Sequence, residues 1–165
     1  DYINNKDEFT LNASLIIDLK PVIGVIYAPA KRRLFYSYGK GFAYEEFEQK
    51  KIKLECKKKT KSGEVHAVSN SSKPSEKVLM IHKKFNVTNF IDMRSSYKFC
   101  VIASGEFDLY AAEARAYEWD IAAGHAIVKH AGGMVTNFDE IEFKYGKAKY
   151  KNLALLVRRS TNLKG

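Results

Sequence analysis

Between Phe9 and Ile17 apolar side chains recur at every second position, with Thr10, Asn12 and Ser14 between them. A period of two predicts a strand with one buried face. Asp18-Leu19-Lys20-Pro21 supplies turn residues, and Val22 to Tyr27 is a second apolar run closed by Pro29, so this stretch predicts an antiparallel hairpin. Leu34 to Tyr38, the Gly39-Lys40-Gly41 turn and Phe42 to Tyr44 extend the hairpin into a meander. Lys51 to Lys57 then alternates charged with apolar residues, the pattern of an exposed edge strand guarded by lysines.

After Lys61 the pattern changes from strand after strand to alternation. Val65 to Ser69 reads as extended, Pro74 to Phe85 as helical, Val87 to Met93 as extended and Ser95 to Ser104 as helical. Phe107 to Tyr110 is extended again. Glu118 to His130 is a helix stopped by Gly132-Gly133, and Met134 to Phe138 and Leu153 to Val157 close as strands. The expected fold class is therefore α/β. An antiparallel meander over 1–61 precedes a mixed or parallel sheet flanked by helices over 62–165.

Composition narrows the picture. The 165 residues include 45% hydrophobic and 28% charged side chains with only 3 Pro, which is the make-up of a folded domain and not of a disordered chain. No apolar stretch approaches the roughly 20 residues of a spanning helix. Cys56 and Cys100 have neither disulfide-framework nor zinc-finger spacing, and a reducing, cytoplasmic compartment is expected. The opening on Asp1, with no secretory signal, is expected of a fragment or a processed product.

The net charge of +9 is concentrated: residues 31–61 hold 11 basic and 4 acidic side chains, so +7 of it lies there. Within a strand alternation this run reads either as a solvated edge face or as a patch for nucleic acid, and no sequence-specific nucleic-acid partner is expected from it. Candidate chemistry lies further on. Glu118 and Asp120 place carboxylates in the first turn of the Glu118 to His130 helix, where the positive end of the helix dipole keeps them ionised, and the small residues Ala122, Ala123 and Gly124 permit close packing. On these grounds alone Asp120 is a first-turn cap or a metal ligand. Ser96 and Lys98 open another helix, where an anion could be received. His66, His82, His125 and His130 have no metal-ligand spacing, and the two cysteines sit in apolar patterns.

Trp119-Asp120-Ile121-Ala122-Ala123-Gly124-His125-Ala126, followed by Ala131-Gly132-Gly133, resembles the C-terminal signature of the inositol monophosphatase family of magnesium-dependent sugar-phosphate and nucleotide phosphatases. Asp7 to Asn12, Gly24 to Ala30 and Ser95 to Cys100 are similar to its bacterial branch, the 3′(2′),5′-bisphosphate nucleotidases acting on adenosine 3′,5′-bisphosphate. The resemblance covers nearly the whole chain and begins just downstream of the family's Asp-Pro-Leu/Ile-Asp-Gly-Thr metal motif. It implies part of a layered α-β-α sugar-phosphatase fold and a Mg²⁺-dependent phosphomonoesterase whose two or three ions activate a water for in-line attack. It further implies Asp120 as a metal ligand, with Ser69, Ser96, Lys98, Arg115 and Glu118 close to a small phosphorylated substrate.

Three departures qualify this. The other metal carboxylates of the family are absent, so no catalytic residue is assigned within this chain, and the chain alone is expected to have little activity. Ser69-Asn70-Ser71-Ser72 stands where the branch commonly has Ser-Arg-Ser-His, and Ala116 forfeits a hydroxyl beside Arg115. The alternatives are an inositol monophosphatase and a catalytically silent remnant of the fold. Apolar surface left uncovered by the absent elements is expected to favour a homodimer.

Overall fold

In the computed structural model the described residues are 7–56, 63–160 and 163. The first sheet contains β1 (Leu11–Ile17), β2 (Lys20–Ala28), β3 (Arg33–Ser37), β4 (Ala43–Phe47) and β5 (Lys50–Lys53), antiparallel throughout and in sequence order. Asp18 and Leu19 both take left-handed backbone angles (φ 48° and 61°), the conformation a two-residue hairpin turn needs to follow the twist of its strands. β5 is the lysine-guarded edge strand expected from the sequence, but it ends at Lys53 because Leu54 and Cys56 turn into the core. Lys57 and the rest of the basic run to Lys61 lie outside the described residues.

The second sheet is mixed. It contains β6 (Val65–Ser69), β7 (Val87–Asp92), β8 (Leu109–Ala112), β9 (Met134–Thr136) and β10 (Leu155–Arg158) in the order β7-β6-β8-β10-β9. β6 pairs parallel with β7 and β8, connected through the helices α1 (Glu76–Lys84) and α2 (Tyr97–Ala103), whereas β10 pairs antiparallel with β8 and β9. A third helix, α3 (Glu118–His130), ends as the glycine pair predicts. Gly132 N–H bonds to Lys129 O and Gly133 N–H to Val128 O, closing the open carbonyls of the last turn.

The layers follow from two apolar clusters. One joins Ile26, Phe35 and Ala43 of the first sheet to Phe99, Ile102, Ile121 and Ile127 of α2 and α3 and on to Val68 and Val157 of the second sheet. The other packs Val78, Ile81 and Phe85, in and just after α1, against the opposite face of the second sheet. Helices α2 and α3 thus lie between the sheets, and the approach is tight at two glycines. A Cβ on Gly24 of β2 would sit 2.3 Å from Ala123 O, and one on Gly124 would sit 2.2 Å from Phe99 Cγ. Arg33 ties the layers at the rim, bonding Glu45 through two nitrogens (2.5 and 3.1 Å), Glu106 at 2.5 Å and the Tyr97 hydroxyl.

The expectation of a buried face on the first strand fails. Every residue of β1 is exposed, with Leu11 at 64% and Leu15 at 46%. The register explains why: Leu11 pairs with Tyr27 and Leu15 with Ile23, so these side chains share the sheet face opposite Gly24, Ile26 and Ala28. Helix α3 covers the latter face, and among the described residues no layer covers the former. No helix among the described residues is long and apolar enough to cross a membrane.

Candidate functional site

A cleft of about 600 Å³ opens where the start of β1, the end of β6, the Arg94–Ser96 turn, the C-terminal end of β8 and the first turn of α3 converge. Its floor is built by the entry into α2. Ser95 takes a left-handed backbone angle (φ 55°), which swings Ser96 back towards β1. The Ser96 hydroxyl donates to Asn12 Oδ1 at 2.7 Å and lies 2.8 Å from the Thr10 hydroxyl. Lys98, only 4% exposed, donates from Nζ to Ser95 O (2.6 Å) and Met93 O (3.2 Å) and stands 5.1 Å from the Tyr110 ring centroid. Burial, helped by the guanidinium groups of Arg115 and Arg94 and opposed by Glu8, pushes its ammonium down to about 7.

The structure brings together some of the residues singled out in the sequence and separates others. Ser96, Lys98, Arg115 and Asp120 all line the cleft. Asp120 is exposed in the first turn of α3, as its position predicts, and its Oδ2 accepts from Tyr117 N–H at 2.7 Å, so it caps the helix while facing the cleft. Ser69 does not reach it. This residue is 3% exposed at the end of β6, its carbonyl accepts from Met93 N–H at 2.9 Å, and the neighbouring Asn70 lines the cleft instead, receiving a bond from the Tyr110 hydroxyl at 2.9 Å.

Glu118 does not line the cleft either. Its carboxylate faces away from the cleft and accepts from Gly146 N–H (2.9 Å), Lys147 N–H (3.0 Å) and Lys147 Nζ (2.6 Å). Burial raises its pKa, but those bonds outweigh burial and hold the carboxyl below its ordinary range. The physical reason is helical spacing: two positions along a helix separate side chains by roughly 200°, so Glu118 and Asp120 cannot share a face.

Long-range contacts add residues that local pattern did not single out. Thr10 and Asn12 reach Ser96 across 84 or more positions, and Arg94, Tyr110 and Glu113 also line the cleft. The polar residues that alternate with apolar ones from Phe9 to Ile17 were the available signal for the first two. Asn152, 5% exposed, lines the cleft with neither side-chain polar atom partnered by a described residue. The histidines lie elsewhere: His125 Nδ1 meets the Tyr145 hydroxyl at 3.0 Å, and burial pushes that imidazole down to about 3.

The donor set does not fit magnesium by itself. Asp120 and Glu113 are the carboxylates lining the cleft, and among the described residues no group of three or more His, Cys, Asp or Glu could hold a metal ion. A hard cation that demands near-octahedral oxygen coordination needs more than this. What the arrangement can do is receive an anion, since Arg94, Lys98 and Arg115 converge on one concavity beside the Ser96 hydroxyl.

The curated 3′(2′),5′-bisphosphate nucleotidase CysQ of Buchnera aphidicola (subsp. Acyrthosiphon pisum, strain APS) is 36% identical over 138 residues, 82% of this chain and 50% of that protein. The protein of the same description from Salmonella typhimurium is 32% identical over 136 residues, 82% of this chain and 53% of its own length. The chain thus spans about half the length of the curated relatives it matches. Among solved structures, CysQ from Bacteroides thetaiotaomicron superimposes with a TM-score of 0.80 at 31% identity, covering 95% of this chain and 65% of that one. The inositol monophosphatase family matches over residues 1–159, and the chain belongs to that family.

Proposed function

We propose that the cleft binds the phosphate groups of a small phosphorylated nucleotide and that this chain supplies the substrate-facing part of a 3′(2′),5′-bisphosphate nucleotidase, a phosphomonoesterase working in the cytoplasm. The observation that carries the reading is the set of three cations in one cleft, of which Lys98 is almost wholly removed from water. A desolvated ammonium near its neutral point gains more from a bound anion than a surface lysine does, because it regains the charge partner that burial denied it. Arg115 and Arg94 offer planar forks suited to phosphate oxygens, Ser96 adds a hydroxyl oriented by Asn12, and the unpartnered amide of Asn152 is available to a polar group of the ligand.

Asp120 contributes one carboxylate towards Mg²⁺, whose chemistry would be to activate a water and stabilise the leaving ester oxygen. The residues described do not complete such a site, so no hydrolytic step is assigned to this chain. The test is calorimetric titration without metal, using adenosine 3′,5′-bisphosphate, adenosine 5′-monophosphate and inositol 1-phosphate. The bisphosphate is expected to bind at least about tenfold more tightly than the other two. Equal or tighter binding of inositol 1-phosphate would favour the inositol phosphatase reading, and binding of none would leave a silent remnant.

A further inference from the structure

The mouth of the cleft is framed by two segments that run side by side. Tyr117 and Lys151 form an antiparallel bridge, and Asn152 N–H donates to Ala116 O at 3.0 Å. Ala116, Asp120, Asn152 and Leu153 line the cleft, so the side chains set between and just before them stand at its rim. Those side chains are aromatic. Tyr117 and Trp119 stack with ring centroids 4.8 Å apart and planes 4° from parallel, and Tyr150 meets Trp119 at 5.9 Å. Lys149 and Tyr150 both hold left-handed backbone angles (φ 59° and 55°), uncommon outside glycine, in the turn that presents the Tyr150 ring. After these contacts Trp119 is still 60% exposed and Tyr150 53%.

The rim is also basic. Residues 144–151 contain four lysines and no acidic residue. Lys147 is committed to Glu118, but Lys149 and Lys151 are exposed, and Lys151 Nζ lies 5.9 Å from the Tyr117 ring centroid. The acids beside the rings are engaged, Glu118 by Lys147 and Asp120 by Tyr117 N–H. Exposed rings interleaved with cations suit the two chemistries of a single strand of nucleic acid: bases stack on the rings whatever their sequence, and phosphates meet the ammonium groups. A duplex keeps its bases stacked on one another and cannot use the rings. We infer that Tyr117, Trp119 and Tyr150, with Lys149 and Lys151, form a stacking shelf for single-stranded nucleic acid at the mouth of the cleft. The inference goes beyond the proposed function, since none of these five side chains lines the cleft and none requires a terminal phosphate or a metal.

Trp119 is the one tryptophan in the sequence, so its fluorescence reports the shelf directly. Titration with a single-stranded adenylate hexamer lacking terminal phosphates is expected to quench that emission saturably, while a duplex of the same length and inorganic polyphosphate leave it unchanged. By anisotropy of a labelled hexamer, Trp119→Ala and Tyr150→Ala should each weaken binding about tenfold or more, and Trp119→Phe, which keeps a ring, should retain most of it. Both variants should keep the circular dichroism of this chain, because both rings are exposed. Lys149→Ser combined with Lys151→Ser should flatten the slope of log affinity against log salt by about 1.4, at about 0.7 per phosphate contact on a single strand. Lys51→Ser combined with Lys53→Ser, on the lysine-guarded edge of the first sheet, should leave affinity and slope unaltered. Absence of quenching by the hexamer, equal quenching by duplex or polyphosphate, or full affinity in the two alanine variants would overturn the inference. Calorimetry with adenosine 3′,5′-bisphosphate reads the cleft and the hexamer reads the shelf, so either reading can fail without the other.

Discussion

The two faces of the first sheet both carry apolar side chains and have opposite fates. The inner one, with Gly24, Ile26, Ala28 and Phe35, is sealed against α3 so closely that a methyl group has no room, while the outer one holds Leu11, Leu15, Tyr27 and Tyr38 open to solvent. The difference teaches that a period of two marks which residues seek burial and leaves open what buries them. On the inner face the covering helix belongs to the chain and its small residues match the sheet's glycine. On the outer face no layer among the described residues supplies the complementary surface.

The largest expected effect tests the sealed face. Phe35→Ala removes a fully buried ring that packs edge-to-face on Tyr97 with centroids 6.1 Å apart, and chemical denaturation should report a loss of about 4 kcal/mol. Gly24→Ala should cost about 3 kcal/mol on the same measurement, since the added carbon meets the backbone oxygen of Ala123, which cannot swing aside. Neither figure would survive if α3 could slide away from the sheet.

Smaller effects sharpen the comparison at the cleft, where both faces' neighbours meet. Lys98→Met should weaken binding of adenosine 3′,5′-bisphosphate by at least about tenfold, equivalent to about 1.4 kcal/mol. In the unsubstituted chain that affinity should fall as pH rises past about 7, because the free ammonium loses its proton there and a bound anion raises its pKa, so binding takes up a proton. The sign for folding runs the other way. With the folded value depressed below the ordinary lysine value of 10.5, the burial penalty is present at low pH and relieved as pH rises between about 7 and 10.5. Calorimetry in buffers of different ionisation enthalpy would expose a proton balance of the wrong sign.

Asp120→Asn should change stability by no more than about 1 kcal/mol, since asparagine can still accept from Tyr117 N–H. A loss of several kcal/mol in a thermal melt would make Asp120 a structural residue first. The smallest effect is expected on the open face, where Leu15→Lys should shift the stability of this chain by no more than about 0.5 kcal/mol. A large destabilisation there would mean that the face is already covered.

Local pattern was most informative where one element decides its own ends. Val65–Ser69 and Glu118–His130 follow from their apolar runs and from the glycine pair after the helix, and the structure places them at those residues. The layered order was legible from the switch of meander to alternation after Lys61, and the close packing of α3 from Ala122-Ala123-Gly124. Site geometry was less so. Ser69 and Asn70 are adjacent and only the strand's direction at its end decides which one faces the cleft, while Glu118 is drawn away by the Gly146–Lys147 turn, 28 positions on. The Ser96–Asn12–Thr10 contacts join residues that nothing nearby in the chain connects.

The two buried thiols offer a clock for how this molecule opens. Burial pushes Cys56 up to about 12 and Cys100 well above its ordinary value, so neither is reactive until the core parts and water reaches it. Cys56 follows the last strand of the first sheet, and Cys100 lies in α2, yet both belong to the cluster in which α2 and α3 are held between the sheets. If the first sheet peels away as a unit, iodoacetamide should reach Cys56 well before Cys100. Matching alkylation rates would instead mean that the two sheets share a single opening event, and that a core threaded by shared helices behaves in time as one body.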